Sequence, residues 1–213
     1  MAAATLTPPA VALLEIHSLG AALVVLDRVE KAALVRVLQA ELNDYYGLFL
    51  KLTGDSASVA IALESARRLA EEMKVSFTGE VLDSPDAGAW GVIESPREYQ
   101  PLLEQDVVFI PGRRAHPMTD KTKTPEALGL IETQGFTAVT AATDAACKAA
   151  GVRVIAKEKL GGGYITVIFE GDVAAVTAAV AAGRAAAESV GKLISAFVIA
   201  RPSEGVAQIL TKL

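Results

Sequence analysis

The stretch that decides how this chain folds is residues 148–172, KAAGVRVIAKEKLGGGYITVIFEGD. Three consecutive glycines after an apolar run invite comparison with a phosphate cradle. Such a cradle sets its glycines between a strand and a helix, so that the helix N-terminus faces the phosphate. Here the glycines fall between VRVIAKE (152–158) and YITVIFE (164–170), both β-branched and strand-like, with no helix start before Asp172. They are therefore expected at a hairpin tip, where little side-chain bulk is wanted.

The surrounding pattern occurs twice. Shifting the chain by 117 positions lays residues 10–93 on 127–210 without a gap. KAALVRV (31–37) meets KAAGVRV (148–154), Glu15 meets Glu132, Asp27 meets Asp144, and Gly54-Asp55 meets Gly171-Asp172. Arg67 falls on Arg184, Glu71 on Glu188 and Pro85 on Pro202. About a quarter of the paired positions are identical, and most of the rest exchange one small or apolar residue for another. The chain is a tandem duplication, read as a first domain at 1–94, a connector at 95–126 and a second domain at 127–213.

Each copy reads strand, helix, strand, strand, helix, strand, an α+β arrangement. In the second copy ALGLIET (127–133) is a buried strand and the Ala-rich 137–151 a helix closed by Gly151. Asp172 is the N-cap of a helix over 173–190 with Gly191 at its end, and LISAFVIA (193–200) is the last strand. The connector is longer than two abutting domains need and holds a strand-like DVVFI at 106–110.

Composition narrows the function classes. Of 213 residues 52% are apolar but only 5% aromatic. That surplus of small apolar residues fits surface buried between subunits. No window of eighteen residues is free of charge, which argues against a membrane span. Net charge is −5 and the basic residues do not cluster beyond Arg113-Arg114, which argues against nucleic acid. The single cysteine, Cys147, permits no internal disulfide and fits a reducing cytoplasm. It reads as a small buried helix residue. His17 and His116 lie far apart with no ligand-spaced partners, so no metal or cofactor is expected, and no nucleophile–base pair recurs in both copies. Glu15 and Glu132, each alone in an apolar strand, read as one structural hydrogen-bonding device used twice.

The second copy resembles the bacterial microcompartment (BMC) shell domain. ALGLIET, EKLGGGY, FEGDVAAVTAAVAAG and VIARPSEGV follow that family's order and separations over 127–210. The first copy keeps the frame but departs at the loop, and carries DSPDAG where the second has ARPSEG. The resemblance implies a tandem-domain, ferredoxin-like βαββαβ shell protein: a homotrimeric pseudohexagonal tile, packed edge to edge with other shell proteins around enclosed enzymes. It implies a pore lined by Leu160, Gly161, Gly162 and Gly163 alternating with Asn43, Asp44, Tyr45 and Tyr46, which passes small polar metabolites. It also implies tile-edge contacts at Lys31, Lys148 and Arg201, with Ser84 replacing the arginine in the first copy. The alternative from another class is an oligomeric regulator that binds a small ligand between subunits.

Overall fold

The computed structural model describes residues 9–43, 47–94 and 125–210. The first repeat runs β1 (Ala10–Ile16), α1 (Leu19–Ala32), β2 (Arg36–Asn43), β3 (Gly47–Gly54), α2 (Ser56–Met73) and β4 (Phe77–Leu82), then a single turn, α3 (Trp90–Ile93). The second repeats it: β5 (Ala127–Gln134), α4 (Phe136–Ala149), β6 (Arg153–Lys159), β7 (Tyr164–Gly171), α5 (Val173–Val190) and β8 (Lys192–Ala200), then α6 (Glu204–Leu210). The two four-stranded sheets have the orders β2-β3-β1-β4 and β6-β7-β5-β8, with every pairing antiparallel. This is the α+β duplication the sequence implies. Even an irregularity is copied, because β2 bulges between Val37 and Gln39 and β6 at the equivalent Val154 and Ala156.

Local chemistry explains the element ends. Asp55 and Asp172 cap α2 and α5, accepting from Ser58 N (2.9 Å) and Ala175 N (2.8 Å). The Ser58 hydroxyl and N–H together hold the Asp55 carboxyl below its ordinary range. The glycines expected to close the second-copy helices act differently. α4 ends on Ala150 in an extended conformation, and Gly191 caps α5 at φ −173°, equally extended. Gly191 instead leaves room for Ala138, which a Cβ would approach to 2.9 Å.

The strands of the second repeat bury both faces. Ala127, Ile131 and Phe169 pack under α4 and α5 with Val139 and Val176. Leu128, Leu130, Ile168 and Ile199 point the other way and join the first repeat's core of Leu14, Ile16, Leu48, Leu50 and Leu52. α1 lies between the two repeats, which is why Leu19, Leu23, Val25, Leu26 and Val29 are all fully buried. Each such side chain contributes about 1.5–3 kcal/mol relative to exposure.

α5 is the one described helix long and apolar enough to cross a membrane. Its apolar character comes largely from alanine. Val176, Ala179, Val180, Gly183 and Ala187 form its buried stripe, and Arg184 pairs with Glu188 at 3.1 Å on the exposed side. Its approach to α4 depends on Gly183, where a Cβ would sit 2.4 Å from Ile131 Cδ1 and 2.9 Å from the Ala142 carbonyl oxygen. Gly183→Ala is expected to destabilise the fold by about 1–3 kcal/mol through overpacking. That outweighs the gain of up to ~1 kcal/mol in helix propensity. Urea denaturation measures the difference, and an unchanged midpoint would mean the helices simply move apart.

Candidate functional site

Gly161–Gly163 form a single tight turn between β6 and β7, closed by Leu160 N–H donating to the Tyr164 carbonyl at 2.8 Å. Gly162 and Gly163 both hold left-handed φ, +70° and +81°, which side chains adopt reluctantly. Their carbonyls are tied back to the end of β5: Gly135 N–H donates to Gly163 O at 2.8 Å, and Gln134 Nε2 to Gly162 O at 3.1 Å. Leu160 turns its side chain into the shared apolar core, so glycine backbone alone forms the tip. A cleft of about 350 Å³ separates this turn from the first repeat, lined by His17, Gly47, Gln134, Leu160 and Tyr164 among others. In the first repeat the corresponding loop begins at Asn43, the last residue of β2, which pairs with Gly47. Asp44, Tyr45 and Tyr46 lie outside the described residues, as does the 106–110 segment of the connector.

The contact between the repeats is built on a buried carboxylate. Glu132, fully buried on β5, reaches the N-terminus of α1 in the other repeat. It accepts from the hydroxyl of Ser18, the N-cap of that helix, and from Ser195 Oγ (3.2 Å) and Leu19 N (3.4 Å). Ser18 Oγ in turn accepts from Ala21 N at 3.1 Å. A negative group is favoured there by the unpaired N–H groups and the helix dipole. Burial pushes the Glu132 carboxyl above its ordinary value, against the opposing pull of Ser18, Ser195 and the Leu19 and Gly20 amides. Further along α1, Asp27 accepts from Ser203 N (2.8 Å) and Glu30 from Gly205 N (3.0 Å), which anchors α6.

Of the residues expected at tile edges, Lys31 and Arg201 lie beside this contact and Lys148 lies apart on α4. Lys31 Nζ donates to Asp27 (2.7 Å) and to the Ala200 carbonyl at the end of β8 (3.2 Å). Lys148, its repeat mate, pairs with Asp144 at 2.7 Å and is largely exposed. Arg201 is exposed and holds φ +50°, with its N–H donating to Glu126 O at 2.7 Å. Cys147 corrects a sequence reading, for it is exposed. Among the described residues its face of α4 receives no cover, whereas the same face of α1 does. Sequence reasoning found Glu132 as a structural hydrogen-bonding residue but not its partner, since Ser18 is 114 positions away and Gly135 replaces it in the second copy.

The Glu132 contact makes stability pH-dependent in a defined direction. A carboxyl whose folded pKa is raised contributes stability in full below its unfolded value, and loses it as pH rises through the folded value. Each unit of separation is worth about 1.4 kcal/mol. Glu132→Gln keeps the shape and is expected to flatten the decline in unfolding free energy as pH rises above the ordinary glutamate range. Parallel urea titrations check this, and an equal slope in both proteins would remove Glu132 as its source.

The repeats are similar to known proteins. The BMC domain family matches residues 10–85 and again 127–202. The bacterial microcompartment shell protein PduA of Citrobacter freundii is 51% identical over 87 residues, 41% of this chain and 94% of that protein. The carboxysome shell protein CsoS1A of Hydrogenovibrio crunogenus is 50% identical over 86 residues, 40% of this chain and 90% of that one. The carboxysome assembly protein CcmO of Synechococcus elongatus is 35% identical over 151 residues, 71% of this chain and 50% of that protein. A solved microcompartment protein from Desulfitobacterium hafniense DCB covers 94% of this chain and 98% of its own at 25% identity, with a TM-score of 0.39. With both of its repeats matched, the chain belongs to the BMC domain family and carries two such domains in tandem.

Proposed function

We propose that the protein is a non-catalytic tile of a bacterial microcompartment shell: a homotrimer with pseudo-sixfold symmetry that packs edge to edge with other shell proteins in the cytoplasm. The observation that carries this reading is the unequal fate of two equivalent helices. α1 is covered by the second repeat, while the described residues leave the same face of α4 open, so the contact within the chain has an unmade second copy. A head-to-tail contact closes into a ring when its rotation permits, and three two-domain chains supply six domains. Relatives named as shell proteins support the same assembly.

In such a ring the loops at 160–163 and 43–46 alternate around a central pore. Three copies of Asp44 set a negative ring that favours cations and neutral polar solutes over anions. Tyr45 and Tyr46 set the width from one set of loops, and the side-chain-free tips of the other set leave space. Lys31, Lys148 and Arg201 serve the tile edges, where a lysine stem packs flat and its ammonium caps carbonyls. The bond of Lys31 to the Ala200 carbonyl is that chemistry within one chain. A left-handed non-glycine residue costs about 1–2 kcal/mol, and its retention at Arg201 supports a positional role. Enclosed enzymes, rather than this chain, carry out the chemistry; nucleic acid, membrane and cofactor have no part in the mechanism.

Solution mass by light scattering, with electron microscopy of the same sample, tests the reading. Three chains' mass with growth into flat sheets or tubes is expected. Lys148→Ala is expected to abolish the sheets and leave the trimer. A closed oligomer that never tiles would favour a small-ligand regulator instead, and a monomer would overturn the assembly altogether.

A further inference from the structure

At the seam, where the inference rests on the trimer reading, the two repeats differ at matched positions. Within the chain, Gly20 of α1 lies against β8: a Cβ there would stand 2.9 Å from Ser195 Oγ and 3.4 Å from the Phe197 ring. The helix can approach this closely only because position 20 has no side chain and Phe197 fills the space beside it. The repeat mates of these residues change together. Gly20 becomes Thr137 on α4, Phe197 becomes Glu80 on β4, and Ser195 becomes Thr78. Thr137, Thr78 and Glu80 are all exposed in the single chain. Glu15, the mate of Glu132, stands half-buried opposite Thr78, as Glu132 stands opposite Ser195. The N-terminus of α4 has no side-chain cap of its own.

We propose that the seam between copies is a differently keyed version of the seam within the chain: α4 of one copy docks on the first-repeat sheet of a second copy, with Thr137 against Glu80 and Glu15 at the uncapped helix end. The occupant is a second copy because the template for the contact is the occupied seam of the same chain. Thr137 and Thr78 hold this helix further from the sheet than α1 stands, and the long Glu80 side chain bridges the gap and accepts from the Thr137 hydroxyl.

The rest of the open face suits burial by another chain. Thr140 and Thr143 replace Leu23 and Leu26, and their hydroxyls already donate to the carbonyls of Phe136 (2.8 Å) and Val139 (2.7 Å). Covering them strands no polar atom. Crossed pairings fail, because Thr137 would meet the Phe197 ring and Gly20 would leave a void beside Glu80. The two keys therefore enforce strict alternation of first and second repeats around the ring.

The test uses the full chain. Glu80→Phe, at an exposed position, is expected to leave the monomer folded and weaken association about tenfold to a hundredfold. Adding Thr137→Gly recreates the Gly20–Phe197 pairing and is expected to restore it. Cys147, on the docking face, reports independently: its alkylation is expected to be about tenfold slower or more in the assembled wild type than in Glu80→Phe. Thr140→Glu tests the same face if Glu80→Phe misfolds, and is expected to give a folded chain that fails to associate. A wild-type trimer with freely alkylated Cys147, or an undiminished Glu80→Phe or Thr140→Glu trimer, overturns the keyed seam while sparing the tile reading. A failed rescue by Thr137→Gly refutes the pairing itself. A monomeric wild type overturns both readings.

Discussion

A carboxylate placed in an apolar interior is tolerable only if something there needs it, and at Glu132 the need comes from another domain. The N-terminus of α1 presents amide hydrogens with no partner inside the helix, and Ser18 satisfies only part of that demand. Glu132 completes it from the neighbouring repeat, under full burial. The orientation of α1, the continuous core from Leu14 to Ile199, and the anchoring of α6 by Asp27 and Glu30 all follow from holding this helix end in place. If either partner is lost, the other keeps only its weaker remaining bonds under full burial.

Duplication explains why so much of the rest comes in pairs, and divergence explains where the pairs part. Backbone features were retained: sheet order, the bulges at Val37 and Val154, the Asp caps of α2 and α5, and the register apart from a shift at Glu132–Thr133 that β1 lacks. Side chains changed where the two repeats meet different neighbours. Leu23 and Leu26 face a covering domain, while Thr140 and Thr143 face water in the single chain. Lys51, buried and bonded to Gln39 and the Ile93 carbonyl, stands where the second repeat has Ile168. The equivalent faces of the two sheets are therefore chemically distinct.

Much of the fold was legible because its signals are local. The β-branched runs around Gly161–Gly163 and Asp172 ahead of an alanine-rich helix each depend on neighbours a few positions away, and the ungapped repeat then carries the reading from one copy to the other. The cover on each face was less legible, because covering is a long-range property. Cys147 reads as a buried small residue from composition alone, yet its exposure depends on whether another domain lies over α4. The glycine at the end of α5 likewise reads as a helix stop, and its backbone there is extended, with its small size giving clearance for Ala138. At the candidate site the sequence identified the glycine turn, but not that Leu160 leaves it for the core, nor that the turn's carbonyls are held by Gln134 and Gly135.

The self-bonded threonines of α4 bear on how the chain behaves before it meets a partner. A leucine face left open would hold its methyl groups in water and attract any greasy surface in a crowded cell. A face of free hydroxyls would be well hydrated and reluctant to shed its water. Thr140 and Thr143 do neither, since each hydroxyl is already occupied by its own helix and only a methyl remains outward. Covering these two positions therefore costs little dehydration, because no hydrogen bond to water has to be broken there.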